Sequence, residues 1–177
     1  MIEKSILGVA GEFAVAAELC RRNVYAQLTL GNQKRVDLLT MSREGRLLRV
    51  EVKTKQGPSW PSIKGVGAGE GFLVLVDFAG VRDTERAAFF VLSADDWRTV
   101  ATRHIEEYRQ NHPDRTPYLD QENCPVFPEE LNARGKPFRG CSVRVPAIES
   151  YREAWSKILD ASERITDAEP PDSTSEQ

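Results

Sequence analysis

The chain has 177 residues, 40% of them apolar and 29% charged, with a net charge of −3. It is long enough to bury a core without covalent staples, and its longest apolar run, Phe72 to Val76, is strand-sized rather than membrane-spanning. Three scattered cysteines (Cys20, Cys124, Cys141) and a Met1-Ile2-Glu3-Lys4 start without a basic or apolar leader argue against a disulfide-built secreted fold, so the expected location is the cytoplasm, with no membrane partner.

Helical spacing of Val9, Phe13, Ala16, Ala17 and Cys20 predicts a first helix from about Ser5 to Asn23, with Cys20 packed inward. Gly8 and Gly11 weaken that helix intrinsically, and mark a late start or a close backbone approach. A strand is expected over Val24 to Leu30, then a polar turn over Gly31 to Lys34. Arg35 to Met41 and Arg46 to Lys53 read as the two arms of a hairpin closed by Ser42-Arg43-Glu44-Gly45. Val36, Leu38 and Thr40 share one parity and Leu48, Val50 and Val52 another, and both sets are expected to face the core. Asp37, Arg49, Glu51 and Lys53 then fall on the opposite face. With Ser42 opposite Arg46, the same register sets Asp37 opposite Glu51, where side chains stand about 4.5–5.5 Å apart at Cβ.

Gln56 to Gly71 is glycine-rich and reads as an irregular connector. Phe72 to Phe78 is the strongest strand, apolar throughout and so expected at the centre of a sheet, and Ala87 to Leu92 is another. Ser93 and Asp96 form a capping pattern before a helix carrying Trp97, Val100, Ile105 and Tyr108. From Asn111 to Pro146 repeated prolines leave the signal weak. A closing helix is expected over Tyr151 to Ile165, and residues 1–166 read as one domain followed by a disordered acidic tail, 167–177.

Charge is unevenly spread. The last thirteen residues carry Asp167, Glu169, Asp172 and Glu176 and no base, so the other 164 sum to +1. Arg21 to Lys55 is the basic stretch, which permits a polyanionic partner. Glu12, Asp37 and Glu51 are candidate oxygen ligands for a hard divalent cation, with the Val52 carbonyl as a further donor and Lys53 beside them. Three converging carboxylates leave an excess of negative charge that such a cation neutralises. The same residues also read as a plain cross-strand charge network with Lys53, Arg49 or Lys34. Carboxylate-held Mg²⁺ or Mn²⁺ is the usual means of relieving phosphate charge and activating water in phosphodiester hydrolysis.

Gly11-Glu12, then Val36-Asp37, then Glu51-Val52-Lys53 resembles the PD-(D/E)XK nuclease superfamily, in particular its Holliday-junction-resolvase-like branch, with Val36 where the family carries proline. The resemblance covers Ser5 to Gln56, more weakly Phe72 to Leu92. It implies an α/β, restriction-endonuclease-like αβββαβ core with a mixed central sheet, here with additional C-terminal helices. It also implies a metal-dependent endonuclease acting on DNA in repair, recombination or restriction, with RNA left open and a homodimer as one way to cut paired strands. Asp37 and Glu51 take metal-ligand roles, Glu12 that of the helix carboxylate and Lys53 that of the catalytic lysine. Lys34, Arg35, Lys55 and Gln56 are candidate nucleic-acid contacts beside the site. Two other readings stand next to this one: an inactive nucleic-acid-binding protein on the same scaffold, and a protein-interaction or antitoxin-like module.

Overall fold

The computed structural model describes residues 2–29, 36–43, 45–67, 69 and 71–163. Lys34, Arg35 and the acidic tail therefore lie outside the described residues. Helix α1 (Lys4–Cys20) is followed by strands β1 (Ala26–Leu28), β2 (Leu38–Met41), β3 (Leu47–Lys55), β4 (Trp60–Ile63), β5 (Gly71–Asp77) and β6 (Ala88–Ser93). Helix α2 (Ala94–Asn111) comes next, then β7 (Tyr118–Leu119), β8 (Pro125–Leu131), β9 (Pro137–Arg139) and β10 (Cys141–Val143), and the last elements of the described residues are α3 (Val145–Ile148), a 3₁₀ turn and α4 (Ser156–Glu163). Among the described residues no helix is long and apolar enough to cross a membrane.

The architecture is mixed α/β around a central mixed sheet of order β1-β2-β3-β5-β6, as expected. β1, β2 and β3 form an antiparallel meander, β5 runs parallel to β3, and β6 returns antiparallel to β5. In place of a helix, the β3-to-β5 crossover carries strand β4, which pairs with β10. The long helix α2 follows β6 instead, started by a full capping box between Ser93 and Asp96. Two cores result. On one face Val15 and Leu19 of α1 and Ile158 of α4 pack over Leu48, Val50, Val52 and Val74. On the other, Trp97 and Val100 of α2 and Trp60 of β4 pack over Leu73, Leu75 and Phe90.

α1 turns a different side inward from the one its apolar spacing suggests. Leu7, Gly11, Val15, Glu18 and Leu19 are buried, whereas Val9, Phe13 and Cys20 are exposed. The reason is Gly11: a Cβ built there would lie 2.0 Å from Thr54 Oγ1, so the helix meets β3 where it has no side chain. Leu7, Val15 and Leu19 share that face, and Phe13, about 200° around the helix from Gly11, points to water.

The proline-rich stretch also departs from expectation, for it forms a three-stranded sheet, β7-β8-β9, and supplies β10. Pro125 and Pro137 each open a strand, where the missing N–H costs no ladder bond, and Pro128 sits where the β8–β9 register shifts. The closing helix starts later than expected, at Ser156 rather than Tyr151. Arg152 pairs with Phe90 on the edge of the sheet, the Glu153 N–H donates to Phe89 O at 2.9 Å, and Glu153 takes φ +53° before α4 begins. The chain gives up a turn of helix to cover that edge.

Candidate active site

The hairpin closes with the Ser42 N–H donating to Arg46 O at 2.9 Å, and the ladder pairs Leu38 with Val50 and Met41 with Leu47. One step further, Asp37 stands beside Glu51. β2 begins at Leu38, so no strand backbone lies opposite the Val52 N–H, and the Asp37 side chain takes that place, its Oδ2 accepting from Val52 N at 2.6 Å. The Asp37 N–H in turn donates to Val50 O at 3.0 Å, which fixes the aspartate at both ends. Val36 does not enter the core: it is half-buried and lines a groove beside the site.

Lys53 marks the point on which the oxygens converge. Its ammonium lies 3.0 Å from Glu51 Oε1, 3.0 Å from Val52 O and 3.4 Å from Asp37 Oδ2. The Glu51 side chain is only 5% exposed, and among the described residues its Oε2 is buried with no hydrogen-bond partner. An unpaired buried carboxylate oxygen is costly, by several kcal/mol without compensation, and calls for a cation or a proton. Two carboxylates and a carbonyl form a hard, all-oxygen donor set that suits Mg²⁺ or Mn²⁺ better than a soft metal.

Glu12 stands in the field of this group rather than inside it. Its carboxyl is raised above the ordinary range, first by burial and then by the Asp37 charge, with Lys53 opposing. Among the described residues no cluster of three or more His, Cys, Asp or Glu side chains is tight enough to hold a metal by itself. The topology explains the separation: α1 covers the face of Val50 and Val52, whereas Glu51 and Lys53 project from the other.

Two expected nucleic-acid contacts are otherwise engaged. Lys55 is buried, paired with Asp77 at 2.6 Å, donating to Gly57 O and lying over the Trp60 ring. It has the parity of Glu51 and Lys53, but Trp60 of β4 roofs that end of the face, with its indole N–H shared between Lys53 O and Val76 O. The Gln56 amide clasps the N-terminus, donating to Ile2 O at 2.7 Å and accepting from Ile2 N at 3.0 Å.

A groove of about 940 Å³ opens over the site, lined by Arg49, Glu51, Lys53, Ser62, Lys64 and Gln121 among others. Of the lining residues outside the Val36-Asp37 and Glu51-Val52-Lys53 motif, only Arg49 carried a signal in sequence, through its shared parity with Glu51. Lys64 and Gln121 come from the glycine-rich connector and the proline-rich stretch, whose placement depends on long-range pairing. His104 sits against Phe127 and His112 stacks on Tyr108, both away from the site. Cys124 and Cys141 are buried, and burial with the neighbouring Cys124 pushes the Cys141 thiol up to about 12, which leaves it inert as a nucleophile.

No family model matches the chain, and no curated protein matches it. Among solved structures, it is similar to a bacterial homing endonuclease, I-Ssp6803I, at 22% identity and a TM-score of 0.45, over 90% of this chain and 94% of that one.

Proposed function

We propose that this protein is a divalent-metal-dependent DNA endonuclease of the PD-(D/E)XK type, built on residues 1–166. The observation that carries the reading is the convergence of Asp37 Oδ2, Glu51 Oε1 and Val52 O on one cation position beside the orphaned Glu51 Oε2. Those three groups would hold the ion. Bound there, Mg²⁺ or Mn²⁺ supplies Lewis-acid relief of phosphate charge and a more acidic water. The chain's own residues do the rest. Asp37 is held rigid by the Val52 and Val50 backbone, so it presents its carboxylate without reorganising. Lys53 lines the groove, and once an ion takes over the neutralisation of Asp37 and Glu51 its positive charge suits orienting a water or meeting charge that develops on the phosphate. Glu12 adds negative potential from behind and tightens the hold on a cation.

Assay on junction, duplex and single-stranded DNA tests this directly. Cleavage should require Mg²⁺ or Mn²⁺, stop in EDTA, and fall at least about a hundredfold in Asp37→Asn and in Glu51→Gln. A folded preparation that cuts no member of the panel with either metal overturns the enzyme. Salt-sensitive DNA binding without turnover would mark a non-catalytic binder on the same scaffold. Cleavage unchanged in both variants would move the site elsewhere.

A further inference from the structure

The groove over the candidate site does not end there. A second groove, of about 610 Å³, adjoins it and is lined by Arg46, Gly69, Ser93, Arg98, Gln121 and Lys157 among others. Two features join them. Gln121 lines both. Arg49, from the first groove, has its Nη2 3.9 Å from where a Cβ on Gly69 would stand, and Gly69 lines the second. The guanidinium of Arg49 thus stands at the junction.

Both grooves lean positive. The first has Arg49, Lys53 and Lys64 against Glu51 and Glu122; the second has Arg46, Arg98 and Lys157 against Asp95 and Asp160. Some of these charges are spent inside the protein: Lys53 on Asp37 and Glu51, and Lys157 on Asp96 at 2.9 Å. Arg49, Lys64 and Arg98 are different. Among the described residues, no carboxylate lies within ion-pair distance of any of the three. Arg49 and Lys64 carry their charge on exposed residues that line the same groove as buried Glu51.

We infer that the two grooves form one track for the backbone of a DNA strand, in which Lys64 and Arg49 grip phosphates next to the one being cut and Arg98 grips a phosphate further along. This rests on the nuclease reading and adds to it the path of the substrate. Arg49 and Glu51 stand two residues apart on β3, so their Cα atoms are about 6.7 Å apart on one face. That spacing sets a positive charge one step along the strand from the cation position, on the scale at which phosphates succeed one another. Arg49 is a positioning residue here: it fixes which phosphate lies at Asp37 and Glu51, and its planar fork suits two oxygens of one phosphate.

The test measures binding of a fluorescein-labelled 30-base-pair duplex in EDTA, where metal-dependent cutting is absent, over a series of salt concentrations. Wild type is compared with Arg49→Ala/Lys64→Ala, with Arg98→Ala, with Arg49→Lys, and with Arg134→Ala/Lys136→Ala at the exposed tip of the β8–β9 hairpin. Circular dichroism checks folding. The slope of log affinity against log salt should fall by about 1.8 in the Arg49/Lys64 double variant and about 0.9 in Arg98→Ala. Arg49→Lys should keep the wild-type slope and lose cleavage rate, because the charge remains and the fork does not. Unchanged affinity and slope in the groove variants of a protein that binds and cuts DNA would overturn the track and leave the site intact. A loss confined to the Arg134/Lys136 variant would move the contact to the hairpin and also overturn it. A wild type that neither binds nor cuts DNA brings down the nuclease reading itself, and the track with it.

Discussion

Glu51 shows how a single side chain can be set by local register and still depend on distant groups. Its position follows from the Ser42–Arg46 closure, which sequence alone could propose because the turn is short and the parity unambiguous. Its burial does not follow from parity, for it depends on neighbours supplied by later segments of the chain. Lys55 illustrates the same limit in reverse. It shares the parity of Glu51 and Lys53, yet the indole of Trp60 and the carboxylate of Asp77 enclose it, and neither is local to the hairpin. Glu12 is a separate case, because it stands within the field of Asp37 and Lys53 but outside the tight group. Glu12→Gln should therefore reduce cleavage by about 10–100-fold, as for a group acting on metal ligands from outside. That is less than the loss in Asp37→Asn or Glu51→Gln, and parallel initial-rate measurements at saturating Mn²⁺ would show the order. Equal losses in all three would make Glu12 a direct ligand.

Helix α1 makes the corresponding point for an element. Its existence was legible from alanine content and spacing, but its inward face was not, because apolar residues occur on more than one side of it. Contact is decided by Gly11 against Thr54, a pairing of residues 43 positions apart that periodicity does not register. Two glycines on this helix should consequently respond in opposite directions to the same change. Gly11→Ala places a methyl 2.0 Å from Thr54 Oγ1 and should destabilise the fold by about 1–3 kcal/mol. Gly8→Ala meets nothing within 4 Å and should stabilise it by up to about 1 kcal/mol through helix propensity. Urea unfolding of the two variants measures both. The strands from β7 to β10 were hidden for another reason: they are two to seven residues long, β8 and β9 begin at prolines, and all are held by pairing with one another or with β4. The Ser93–Asp96 capping box, by contrast, is made within four residues, and so was readable in advance.

For the molecule as a whole, stability and the proposed activity draw on different carboxylates. Glu18, buried on α1, is held by Arg86, 68 positions further along the chain, and by Arg21 and Arg22 just past the end of its own helix, and Arg86 also binds Glu153 ahead of α4. Hydrogen bonds from Arg86 chiefly, then from Arg22, outweigh the cost of burial and bring the Glu18 carboxyl down to about 2. A carboxyl depressed on folding contributes stability that is present above its unfolded value, near 4.5, and lost as pH falls towards 2. Glu18→Gln should lower stability at pH 7 and flatten the decline between pH 4.5 and 2, as read by thermal unfolding across that window. A steepness equal to wild type would remove Glu18 from the acid response. Around neutral pH an ion bound at the proposed site would be a separate source of stability. Mn²⁺ at a hundredfold excess over its dissociation constant should add about 2.7 kcal/mol of stability, seen as a rise in Tm. The rise should vanish in Asp37→Asn/Glu51→Gln, and its survival there would place the ion elsewhere.

The Asp37–Val52 hydrogen bond has a practical consequence as well. Because a side-chain oxygen completes the ladder where β2 stops, the Val52 amide proton reads the electronic state of that carboxylate from inside the sheet. In an ¹H–¹⁵N correlation spectrum this one resonance should move when Asp37 takes up a proton or shares its oxygen with an ion, while amides on the far side of β5 stay put. The protein thus carries its own spectroscopic probe of that carboxylate, readable without a substrate and without a label.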